Sequence, residues 1–225
     1  MIRRLMPSAL ALAFALALPS VHAEDPATTA SIAAPDAAVA AYTALQARWA
    51  EIKYGLPEKD QAAAFEALVK QADAAVAVHP RDARVLTWRG IVLSTWAGAK
   101  GGLGALSLCT RAKVDFEAAL AIAARALDGS AHTSLGSLYD RVPGWPIGFG
   151  DADKAREHLS AGLALNPAGI DSNYFWGAFL HDSGDDAGAA AALHRALEAP
   201  PRPGRERADA GRRSEIESLL ARVHG

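Results

Sequence analysis

Residues 170–201 read IDSNYFWGAFLHDSGDDAGAAAALHRALEAPP, and this stretch decides the fold. It holds two apolar-rich runs separated by Gly184 and ended by Pro200 and Pro201. Ala189, Leu193 and Ala196 recur at intervals of three and four, which puts them on one face of a helix. Gly177 stands in the first run where a helix must come close to its neighbour. Asp185 and Asp186 follow the Gly184 turn, where aspartate serves as an N-cap for the next helix. Two helices joined by so short a turn pack antiparallel.

The same marks recur toward the N-terminus. Leu135, Gly136 and Tyr139 occupy a first run, and Ala155, Leu159 and Gly162 a second, ended by Pro167. Pro167 and Gly177 are ten residues apart, and Pro80 and Gly90 repeat that interval. Gly90 thus opens another pair, whose second run carries Ala112, Phe116, Ala119 and Leu120. Paired helices with small, large and proline positions recurring every ~34 residues are the tetratricopeptide-repeat (TPR) pattern. Units are expected at 82–127, 130–167 and 170–201, after a degenerate one at 36–80. A polar capping helix is expected at 205–223, as the end of a solenoid requires.

The fold class expected is all-α, a TPR-like antiparallel helix-pair solenoid with a C-terminal capping helix. Breakers place the helices at 36–54, 58–78, 82–97, 104–127, 130–141, 152–165, 171–182, 186–198 and 205–223. No alternating β-branched run supports a strand.

Residues 1–35 read differently. Arg3 and Arg4 precede ten apolar residues, ALALAFALAL at 9–18, and Val21-His22-Ala23 forms a small-x-small site. That is a secretory signal peptide with cleavage expected after Ala23. The apolar run is shorter than the ~20 residues a membrane span needs. Residues 24–35, EDPATTASIAAP, read as a disordered leader. The expected location is the periplasm, without stable membrane insertion. Cys109 is the one cysteine of the chain, so neither an internal disulfide nor a lipid anchor at the cleavage site is expected. Removing Arg3 and Arg4 with the signal takes the formal charge from −2 to −4. So mild an acidity excludes the basic footprint of a nucleic-acid binder.

LDGSAHTSLGSLYDRVPGWPIGFGDADKA at 127–155 and LNPAGIDSNYFWGAFL at 165–180 resemble a group of exported bacterial TPR proteins. The likeness spans 86–223 and implies the fold and little chemistry. More distantly, the chain resembles the T-component of tripartite ATP-independent periplasmic (TRAP) transporters, helical proteins that pair with a substrate-binding protein. It departs from them in lacking the cysteine of a lipid anchor.

Two units exceed the repeat length. The surplus is assigned to lengthened turns, 95–106 in one and 141–153 in the next, on the same edge of the solenoid. Insertions on one face of an array often form its binding face. Lys100, Arg141, Trp145, Ile147 and Phe149 are therefore candidate binding residues. In the competing reading, Trp145 and Phe149 fold back and plug the core. A second candidate surface is the concave groove, with Arg84, Thr87, Ser94, Thr133, Ser137, Asp140, Tyr174, His181 and Asp182, a mixed polar set suited to a peptide. The basic stretch Arg202, Arg205, Arg207, Arg212 and Arg213 reads as a solvated face of the capping helix, with contact to anionic lipid headgroups as the lesser alternative.

No catalytic set, metal site or cofactor is expected. Gly98, Gly101, Gly102 and Gly104 around Lys100 lack the spacing of a phosphate loop. His181, Asp182, Asp185 and Asp186 coincide with a helix-capping turn. The function expected is a periplasmic TPR scaffold that binds a protein partner without catalysis. The alternative is a T-component-like accessory of a solute uptake system, holding a small, partly apolar ligand beside a periplasmic solute-binding protein.

Overall fold

The computed structural model describes residues 36–102 and 104–223, and the expected signal peptide and leader lie outside them. Nine α-helices follow one another among the described residues: α1 Ala37–Gly55, α2 Glu58–Val78, α3 Ala83–Lys100, α4 Ala105–Ala123, α5 Ser130–Arg141, α6 Ala152–Leu165, α7 Ile170–Asp182, α8 Asp186–Leu197 and α9 Glu206–Val223. The fold is an all-α solenoid of antiparallel pairs. Aspartates start four of the helices. Asp36, Asp82, Asp151 and Asp185 each accept a hydrogen bond from a backbone N–H of the first turn.

The three clear units share one contact. A Cβ added at Gly90, Gly136 or Gly177 would lie 2.5 Å from Phe116, 2.7 Å from Leu159 or 2.9 Å from Leu193. Each glycine lets a large residue of the second helix lie on the first helix's backbone. Phe116, Leu159 and Leu193 are all buried. The chain distance from glycine to partner falls from 26 residues to 23 and then 16, so the surplus of the earlier units lies between those points.

That surplus takes two forms, one of which corrects the sequence reading. Residues 95–106 are mostly helix: α3 continues to Lys100, and α4 starts at Ala105. Nothing from Thr95 to Lys100 stops a helix beyond one tolerated glycine, Gly98, and Lys100 covers the Trp96 ring at 5.1 Å. The extra residues lengthen α3 and α4 to 18 and 19 residues, against 13 and 12 in α7 and α8. In the next unit they do form a loop. Gly144 and Gly150 pair as an isolated bridge, Gly150 N donates to Pro143 O at 2.9 Å, and Trp145–Pro146 is cis.

The helix expected at 104–127 also stops early, at Ala123. A 3-10 turn follows at Ala126–Gly129, and Leu127, Asp128 and Gly129 have φ of 50°, 53° and 78°. Ser130 Oγ donates to Leu127 O at 2.6 Å and steadies the turn.

First helices line the inside and second helices the outside. Along the inner row α1 packs on α3, α3 on α5, α5 on α7 and α7 on α9. α9 also packs on α1. The inner row thus closes into a five-helix ring, with α2, α4, α6 and α8 outside it. At the seam Tyr54 donates to Glu215 at 3.2 Å, and Lys53 lies 3.6 Å from the same carboxylate. α9 is fastened to the previous pair by Ile216, Leu219 and Leu220, buried with Ile170, Leu193 and Ala196.

Candidate functional site: the groove inside the helix ring

The ring encloses a groove of about 1360 Å³. One wall is aromatic. Tyr42, Trp49 and Tyr54 of α1 and Trp88 of α3 line it. Trp49 meets Tyr54 and Trp88 edge to face at 5.6 and 6.1 Å, and its indole N–H donates to Thr95 at 2.9 Å. These contacts fix the rings before any ligand arrives. The wall from α5 is hydroxylated, with Thr133, Ser134 and Ser137. α7 adds Asp171, Tyr174 and Phe175.

The fourth wall is charged and comes from α9 and the turn before it. Asp171 accepts from Arg202 at 2.7 Å and from Arg212 at 2.8 Å. Arg202 also grips Asp209 at 2.7 Å, and Arg212 reaches Glu215 at 2.6 Å. The Arg212 guanidinium lies over Tyr174 at 4.3 Å and over Phe175 at 4.7 Å. Burial pushes the Asp171 carboxyl up, but Arg212 and Arg202 outweigh it and hold the group at about 2. Tyr54 is pushed well above the usual phenol range by burial. Arg205 is different. It lies over Trp88 at 5.2 Å, and its buried Nε has no hydrogen-bond partner. Burial and the like charge of Arg202 lower its pKa.

The structure places the residues singled out from sequence in three groups. Ser94, Thr133, Ser137, Tyr174, Arg141 and Ile147 line the groove together. Arg84, Thr87, Asp140, His181 and Asp182 lie off it. Arg84 is bound to Asp36 and Asp82, Thr87 is fully buried and donates to Ala83 O, and His181 faces Asp186 at 2.6 Å. The loop residues divide. Phe149 folds inward onto Tyr139, edge to face at 5.8 Å, while Trp145 is 90 % exposed and Ile147 71 %. Lys100 stays on the Trp96 ring.

The basic stretch is not a solvated face. Arg212 is buried, Arg202 and Arg205 line the groove, and Arg213 donates to the C-terminal carbonyls of Leu197 and Ala199. Arg207 alone of the five is exposed. The charge of this stretch is spent on Asp171, Asp209 and Glu215, which only the folded ring brings near. A sequence signal existed. Arg205, Asp209 and Arg212 follow one another at steps of four and three, the spacing of one face of the helix expected at 205–223. The α1 aromatics were also missed, since their unit carries a closing proline, Pro80, but not the helix-contact glycine of the others.

Among the described residues, no helix is long and apolar enough to cross a membrane. No protein-family model matches the chain, and no curated protein sequence does. Its structure is similar to that of a thermophilic TPR protein of Thermus thermophilus, with a TM-score of 0.56 at 19 % identity over 81 % of either chain. The fold is that of a TPR protein. A looser likeness, to the MamA protein, has a TM-score of 0.43 at 14 % identity over 82 % of this chain and 91 % of that one, too low to support an argument. In TPR terms the groove is the concave face, α9 is the helix after the last pair, and the 142–151 loop joins the two helices of the third unit.

Proposed function

We propose that this protein is a periplasmic TPR binding module without catalytic activity, and that it holds a segment of a protein partner in the ring groove. The observation that carries the reading is the groove itself: a preformed aromatic wall facing hydroxyls across about 1360 Å³. Concave sites with a few placed polar groups among apolar ones are where ligands bind. The periplasmic location rests on residues 1–23, and N-terminal sequencing of the secreted protein should begin at Glu24.

The test is site-specific photocrosslinking in the protein's own cell. A photoreactive residue at Ser137 should capture a discrete partner. One at Glu66, exposed on the outer helix α2, should not. Capture from Glu66 alone would move the site to the outer face, and capture from Trp145 alone would move it to the exposed loop. No adduct from Ser137 would remove the groove reading.

A second reading is favoured by the closure of the ring by α9. Closure suits a small, partly apolar ligand, as a T-component-like accessory of a solute-binding protein would hold. A crosslink from Ser137 to a small molecule instead of a polypeptide would select it.

A further inference from the structure

We propose that the α9 end of the groove is an anion subsite, built on Arg205, that takes the carboxylate of a ligand with a flat apolar body. The proposal deepens the groove reading and rests on it.

The first observation is the charge pairing. The neighbouring cations Arg202 and Arg212 are saturated by Asp171, Asp209 and Glu215. Lys53 and Arg141, the other basic residues on the lining, face Glu215 and Asp140. Arg205 forms no hydrogen bond or ion pair through its side chain with any described residue, and its Nε is buried. A dry, unsatisfied donor on a charged group costs free energy. A fold that pairs Arg202 and Arg212 so fully yet leaves Arg205 open keeps one positive charge for something not its own.

The second observation is the surroundings of that charge. The Arg205 guanidinium lies over the ring of Trp88, 5.2 Å from its centre, and Trp88 is itself buried and braced by Trp49. A guanidinium held on an indole keeps its planar fork of donors aimed along the plane, the geometry that receives a carboxylate through two parallel hydrogen bonds. The apolar body of such a ligand would lie along Trp49, Tyr54 and Phe175, all on the lining. One free guanidinium matches one negative charge. A dianionic phosphate calls for a second open cation, and the described lining offers none. The body and the carboxylate can belong to a free aromatic acid or to the C-terminal residue of a chain.

The experiment is NMR of the purified protein, following the Nε–H resonance of Arg205, assigned by its loss in Arg205→Lys. Indole-3-acetate should shift this resonance saturably and bind about tenfold tighter than indole-3-acetamide, worth ~1.4 kcal/mol. In Arg205→Gln, tryptophan fluorescence should show the acid binding no tighter than the amide. The tripeptide Ala-Ala-Phe with a free or an amidated C-terminus forms the second arm. A response to the free peptide acid alone, or to indole-3-acetate alone, supports the subsite and names its source.

No shift with either acid overturns the proposal. So does equal binding of acid and amide, or an equal shift from chloride at the same concentration. Ser137→Trp, which fills the opposite wall, separates this proposal from the reading beneath it. A shift that survives that change keeps the subsite and removes the groove as the body's seat.

Discussion

Asp115 is 2 % exposed on α4, and Arg89 of α3 holds it with both forks, Nε at 2.8 Å and Nη2 at 2.5 Å. Arg89 is only partly buried and also lies 3.4 Å from Asp73, but removing it leaves the dry Asp115 carboxylate without compensation, whereas removing both Arg89 and Asp115 is far milder. Arg89→Ala should therefore cost about 3 kcal/mol in urea unfolding, and Arg89→Met with Asp115→Leu should recover most of it. Recovery of nothing would mean that Arg89 acts through packing. Asp171 depends on charge in another way, since it answers to pH. Its carboxyl is held at about 2, below the ordinary 3.8, by Arg212 and Arg202 against the cost of burial. A depressed pKa contributes stability that is fully present above the unfolded value and lost as pH falls toward the folded one. The melting temperature should thus drop between about pH 4 and about pH 2. Asp171→Asn should lower it at neutral pH and flatten that acid limb, as a thermal scan across the range would show.

At the scale of the element, the glycine contact decides how each pair closes. In the third unit the obstacle to a side chain is backbone as well as side chain, since a Cβ at Gly136 would lie 2.8 Å from Leu159 N. In the fourth unit the nearest atoms at Gly177 belong to the flexible end of Leu193, and the backbone stands off at 3.3 Å. Gly136→Ala should cost about 2 kcal/mol as an overpacked contact, and Gly177→Ala clearly less. Adding Leu159→Ala to Gly136→Ala should fail to restore stability, because the backbone clash remains; chemical denaturation of the series decides it. These glycines were legible in the sequence because the contact they serve is local and repeats. Helix existence was legible for the same reason, and apart from α3 and α4 every helix begins and ends within one residue of where its breakers place it. The surplus of 95–106 was not. A repeat template says that residues are extra but not whether they lengthen a turn or two helices, and only the absence of a stop before Gly101 argued for the helices.

The ring belongs to the whole molecule, and the sequence hid it for a physical reason. TPR marks record how one helix packs on the next, whereas the seam joins α1 to α9 through Tyr54, Gly211 and Glu215, which no period relates. A helix read as a solvated cap therefore supplies the charged wall of the groove and its closure. Gly211 makes the seam possible, since a Cβ there would overlap the Tyr54 ring. Gly211→Leu should force α9 off α1 at a cost of about 1–3 kcal/mol, while α9 stays fastened to α7 and α8 through Ile216, Leu219 and Leu220. The expected result is local opening: faster amide exchange at the C-terminal end of α1, a larger radius of gyration by X-ray scattering, and cooperative unfolding retained. Adding Tyr54→Ala makes room for the leucine and should reverse the scattering change. If Gly211→Leu left exchange and dimensions unaltered, the seam would be a passive contact, and the groove would owe its walls to the curvature of the stack instead of to closure by α9.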